Sequence, residues 1–99
     1  MSTRTALIVI GRYKEEWKSL SATQQINFIE RVGKTAVASG LEPVMGYRLT
    51  ATPGTFIEVW ESSSQESVGR AVKDLTAMGY TRFVDARWMI GEREDGDVE

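Results

Sequence analysis

The chain has 99 residues, enough for one small domain with a single core and no second. Its 41% hydrophobic and 26% charged residues are ordinary for a globular protein, and its longest apolar run, Ala6 to Ile10, is too short to cross a bilayer. Twelve basic against 14 acidic side chains, a formal charge of -2, lack the basic excess of a nucleic-acid module, and with no Cys and no His there is no disulfide, thiolate or imidazole zinc site, thiol nucleophile or imidazole triad.

Met1-Ser2-Thr3-Arg4 leads into the apolar run without a cleavage-site pattern, so a cytoplasmic protein is expected. From Thr5 to Arg12 the β-branched run has no polar alternation, which predicts a central strand covered on both faces. Ser21 and Gln24 then form a capping box. Ile26, Ile29, Gly33, Ala36 and Val37 follow at helical spacing and Gly40 is a stop, predicting a first helix over about Ala22 to Ser39.

Leu41 to Thr50 has strand character, and the turn Ala51-Thr52-Pro53-Gly54 joins it to a return strand over Thr55 to Glu61. Ser63 and Glu66 give a second capping box. The helix after it carries Val68, Ala71, Val72, Leu75 and Met78 on one stripe and ends at Gly79. A last strand is expected over Arg82 to Ile90. Residues 1–90 thus form the domain, and the acidic tail of residues 91–99, with one apolar residue, is expected to be solvated and flexible. Without that tail the chain counts 11 basic and 9 acidic groups, so long-range charge steering is not its main design.

The order βαββαβ is the ferredoxin-like arrangement, an α+β fold with a four-stranded antiparallel sheet and two helices on one face. The strands carry large apolar residues of both parities, so the second face also needs cover. Assigning the purely apolar sets (Ile57 and Val59; Val84, Ala86, Trp88 and Ile90) to the helices leaves an open face with Phe56, Trp60, Phe83 and Met89. Glu58, Asp85 and Arg87 share it, with Met45, Tyr47 and Leu49 from the second strand, although Arg48 and Thr50 could face inward there instead. Such a patch, on the order of several hundred Å², predicts a homodimer.

The element order, the third strand ending Val59-Trp60-Glu61 with a helix just after it, and the aromatic-bearing last strand resemble the dimeric α+β barrel superfamily. Trp17, Leu20, Phe28 and Trp60-Glu61 are also faintly similar to the darcynin-like family. In dimeric α+β barrels two ferredoxin-like subunits pack sheet to sheet and enclose a cavity in each. The resemblance implies binding of a small apolar, aromatic or polyketide-like molecule. For an enzymatic member it implies cofactor-independent monooxygenase, isomerase or cyclase chemistry. The haem-binding branch depends on a His ligand that this chain lacks, so no cofactor is expected.

Catalytic motifs add little. Gly33-Lys34-Thr35 looks like the end of a P-loop, but Phe28 stands where the first Gly belongs and the segment is mid-helix; dinucleotide, serine-hydrolase and zincin motifs are absent. The candidate catalytic groups are Glu58, Asp85 and Arg87. A carboxylate of this set, enclosed in an apolar box, would hold its proton more tightly and serve as general acid or base, while Arg87 or Tyr47 steadies an oxyanion. The alternative is an interfacial ion-pair network with no chemistry, in a dimerisation or ligand-sensing domain. Candidate ligand-binding residues are Trp17, Tyr47, Phe56, Trp60, Phe83 and Met89. Tyr47 and Trp60 read equally as a packing pair and Trp17 as a cover over the end of the core.

Overall fold

The computed structural model describes residues 4–94. Strands β1 (Thr5–Tyr13), β2 (Glu42–Arg48), β3 (Thr55–Ser62) and β4 (Val84–Glu92) form one antiparallel sheet in the order β2-β3-β1-β4. Helix α2 (Ala22–Ala38) carries the chain from β1 across to β2, and α3 (Gln65–Ala77) from β3 across to β4, the ferredoxin-like crossover pattern. Two single-turn helices, α1 (Glu15–Lys18) and α4 (Tyr80–Phe83), precede α2 and β4. Among the described residues no helix is long and apolar enough to cross a membrane.

Helix starts follow their caps. The Ser21 hydroxyl accepts from the Gln24 amide and the Gln24 side chain accepts from the Ser21 amide, the expected reciprocal box. At α3 the cap is Ser64, one residue beyond the expected Ser63, and it accepts from the Ser67 amide at 3.3 Å. Val68, Ala71 and Leu75 of α3 are buried as their spacing predicts.

Three expectations are corrected. The first concerns the face of β3. Register pairs Trp60 with Leu7, Glu58 with Val9 and Phe56 with Gly11, and Leu7 and Val9 lie in the core beneath the helices. Phe56, Glu58 and Trp60 therefore face the helices, and Ile57 and Val59 line the open face. The reason is steric: a Cβ at Gly11 would meet Phe56 ring carbons at 2.8 and 2.9 Å, so the missing side chain on β1 is what lets this ring into the core.

The second correction is Phe83, which closes α4 and packs edge-on against Phe28, ring centroids 4.9 Å apart, because Gly79 (φ 94°) starts a helical turn before β4 begins. The third is the buried stripe of the first long helix. Phe28 and Ala36 are buried with Val32 packed beside them, whereas Ile26, Ile29 and Val37 are 57%, 53% and 58% exposed. Phe28 turns α2 because it meets Trp17, Tyr80 and Phe83 together. At the C-terminal end β4 runs on through Gly91 and Glu92, and the Arg93 amide donates to the Arg4 carbonyl at 2.8 Å. Residues 95–99 of the expected tail lie outside the described residues.

The open face carries Ile8 and Ile10 of β1, Met45 and Tyr47 of β2, Ile57 and Val59 of β3, and Met89 with Asp85 and Arg87 of β4. Met45, Tyr47 and Met89 are 48%, 60% and 40% exposed. Its membership differs from the expected one by the β3 swap and by the loss of Phe83 to the core cluster.

Candidate functional site

On the helix-facing side, α2 stands off the β2–β3 half of the sheet and leaves a cleft of about 640 Å³. Aromatic packing builds its inner wall. Tyr13, the last residue of β1, stacks on Trp17 of α1 with centroids 4.6 Å apart and leans on Phe56 at 5.0 Å. Trp17 meets Phe28 edge-on, so α1 is sandwiched between sheet and α2. Polar links fix that turn: Gln25 donates to the Trp17 carbonyl at 3.0 Å, and the Lys14 amide donates to the Phe83 carbonyl at 2.9 Å. Trp17 is thus both cleft wall and core cover.

Glu58 projects from β3 into this space. It is opposite Gly46 of β2, where the absent side chain keeps the cleft open beside the carboxylate. Burial pushes the Glu58 carboxyl above the usual carboxylate range, and the Trp60 indole N–H, donating to its Oε1 at 3.4 Å, acts against that rise. A second chamber of about 40 Å³ lies deeper, among Phe28, Val32, Tyr80 and Val84, and shares Tyr13, Phe56 and Glu58 with the cleft. Both tyrosine hydroxyls titrate above the ordinary phenol, first because they are buried and then because the Glu58 charge faces them. For Tyr13 the Arg48 guanidinium works in the opposite direction. One carboxylate flanked by two phenols in an aromatic pocket can take a proton from a bound compound and offer hydroxyl donors to the oxygen that gains charge.

The sequence-derived candidates divide between the two sides of the sheet. Glu58, Phe56 and Trp17 line the cleft, whereas Tyr47 borders it along the β2 edge while pairing with Ile57 on the open face, so its expected place beside Glu58 is corrected too. Trp60 touches it through its bond to Glu58. Asp85, Arg87 and Met89 lie on the opposite face, and Phe83 is packed into the aromatic core; the expected sharing of one cavity by Glu58, Asp85 and Arg87 is corrected by the β1–β3 register. Tyr13 and Tyr80 escaped sequence reasoning, the first because it ends a strand and the second because it sits in a turn that no cap announces. Among the described residues no group of three or more acidic, His or Cys side chains could hold a metal.

No protein-family model matches the chain, and no curated protein matches it by sequence. Solved structures match its fold. A mutant chlorite dismutase from Candidatus Nitrospira defluvii is 16% identical with a TM-score of 0.74, over 96% of this chain and 42% of that one. The chain therefore spans less than half the length of that protein. SnoaB, a cofactor-independent oxygenase from Streptomyces nogalater, is 8% identical with a TM-score of 0.66 over 99% of this chain and all (100%) of that one. A dimeric ferredoxin-like protein from an uncultured marine organism is 13% identical with a TM-score of 0.58, over 99% and 100%. At these identities the likeness fixes the fold alone, a ferredoxin-like α+β fold.

Proposed function

We propose that the protein is a cytoplasmic homodimer whose subunits each bind a small aromatic or conjugated molecule in the cleft between α2 and the sheet, with Glu58 exchanging a proton with it. The observation that carries this reading is the half-buried Glu58 carboxylate in an aromatic-walled cleft, its proton held more tightly than usual. In that chemistry Glu58 removes a proton from an acidic C–H or O–H, and the Tyr13 hydroxyl donates to the oxygen that gains the charge. A cofactor-independent oxygenase of the same fold supports this class of chemistry. Asp85 and Arg87, opposite Arg12 and Ile10 on the apolar open face, are assigned to holding two sheets in register.

Proton NMR titration with 1-naphthalenemethanol, a neutral bicyclic probe, tests the cleft. Amide shifts should cluster at Tyr13, Gly46, Gly54 and Thr55. Gly46→Leu should fill the space beside Glu58 and weaken binding at least tenfold with an unchanged thermal midpoint, since a Cβ at Gly46 meets only ordinary contacts at 3.8 Å. Scattered shifts, or full affinity in Gly46→Leu, would overturn the reading.

A further inference from the structure

The charged groups of the cleft are few and separated. Of its lining residues, Glu58 is the one acid and Arg48 the one base. Arg48 pairs with Phe56 across the β2–β3 ladder, so it shares the helix-facing side with Glu58, and it is close enough for its charge to act on the Tyr13 phenol. Among the described residues it makes no ion pair, whereas Arg4, Lys18 and Arg93 each do. Other cations are directed elsewhere: Lys14 donates to the Thr81 carbonyl, Arg31 lies over the Phe28 ring, and Arg12 and Arg87 belong to the open face. An unpaired guanidinium at the rim of an aromatic cleft is a fork of donors that matches a carboxylate.

We propose, building on the cleft reading above, that the ligand is a planar aromatic or conjugated carboxylate, anchored by its carboxylate at Arg48 and directing its far end to Glu58. Spacing agrees. Arg48 is two residues along β2 from Gly46, the position facing Glu58, which is about 7 Å along the strand and comparable to a fused pair of six-membered rings. Size agrees as well: the smaller chamber of about 40 Å³ has room for a water but not for a ring, so the ring must lie outside it against Tyr13, Trp17 and Phe56. Glu58, when protonated, leaves Arg48 as the sole charge in the cleft, which favours an anion over a neutral molecule of the same shape.

The test compares 1-naphthoate with 1-naphthalenemethanol, two probes of matching ring system that differ in charge, at pH 6 and low salt by the same NMR titration. Naphthoate should bind about fivefold or more tightly in the parent protein, the range for one partly exposed, hydrogen-bonded charge pair. Arg48→Met should erase that preference and leave the affinity for the neutral probe unchanged, and Arg48→Lys should keep part of it. Equal binding of both probes, or a preference that survives Arg48→Met, would overturn the assignment of Arg48 and leave the cleft reading standing. If neither probe bound at millimolar concentration, the cleft reading would fall and this inference with it.

Discussion

At the scale of single residues, Glu58 shows how far chemistry can be read from a strand. A carboxylate among apolar neighbours on an interior strand must be buried somewhere, and that logic picks it out before any geometry. What parity cannot give is the face. Phe56, Glu58 and Trp60 alternate with Ile57 and Val59, and both sets are apolar enough to be core, because the open face is apolar as well. The deciding residue is Gly11, on a different strand, whose missing Cβ admits the Phe56 ring. Glu58 also predicts a pH dependence. Tyr13 of β1, Tyr80 of α4 and Trp60 of β3 face it, Arg48 of β2 lines the same cleft, and α2 supplies Ile29 and Val32. The folded state holds the Glu58 proton more tightly than the unfolded chain, so this group subtracts stability as pH rises from the ordinary carboxylate range through its raised value. Glu58→Gln keeps an oxygen for the Trp60 indole and removes the charge. Its thermal midpoint should exceed the parent's at pH 8, and the two should converge towards pH 4; a deficit of equal size at both values would contradict the buried-charge account.

At the scale of elements, the regular pieces were legible and the short ones were not. Hydrophobic alternation, two serine caps and the turn around Pro53-Gly54 give the βαββαβ order, because those signals are local. The two single-turn helices are set by tertiary contacts instead: α1 exists because Trp17 stacks between Tyr13 and Phe28, and α4 because Gly79 turns the chain so that Tyr80 and Phe83 reach the same cluster. Apolar periodicity along α2 likewise named the wrong stripe, since one large ring, Phe28, outweighs Ile26, Ile29 and Val37 in choosing the rotation. Gly79 gives this a measurable form. Its φ is 94° and a Cβ there would meet nothing within 4 Å, so Gly79→Ala isolates the backbone cost of α4's entry. That cost is about 1 kcal/mol, a fall of roughly 4–8 °C in thermal midpoint for a chain of this size. Gly33→Ala, in the interior of α2 with equally open space, should raise the midpoint instead, by about 0.5–1 kcal/mol of helix propensity. If both variants moved in the same direction, the left-handed turn would not be what fixes α4.

At the scale of the molecule, the two faces of the sheet separate side chains that the sequence reading placed together on one. Helices and cleft occupy one side, and every residue that lines the cleft here belongs to one chain. The other side is left with Ile8, Ile10, Ile57 and Val59 half-covered and Met45 and Met89 at 48% and 40% exposure, a surface that water disfavours and an identical sheet would match. Two glutamates placed there, Met45→Glu with Met89→Glu, face solvent in the lone subunit and so cost its fold little, but between packed sheets they bring four unpaired charges into an apolar contact. The parent should therefore sediment at about twice 11.1 kDa and the double variant at 11.1 kDa, with matching far-ultraviolet dichroism. A parent that sediments as a single chain at micromolar concentration would remove the dimer. Because Glu58, Tyr13, Trp17 and Arg48 all come from one chain, the monomeric variant should still bind 1-naphthoate within a few-fold of the parent. Loss of binding together with the dimer would instead mean that the partner sheet closes the cleft.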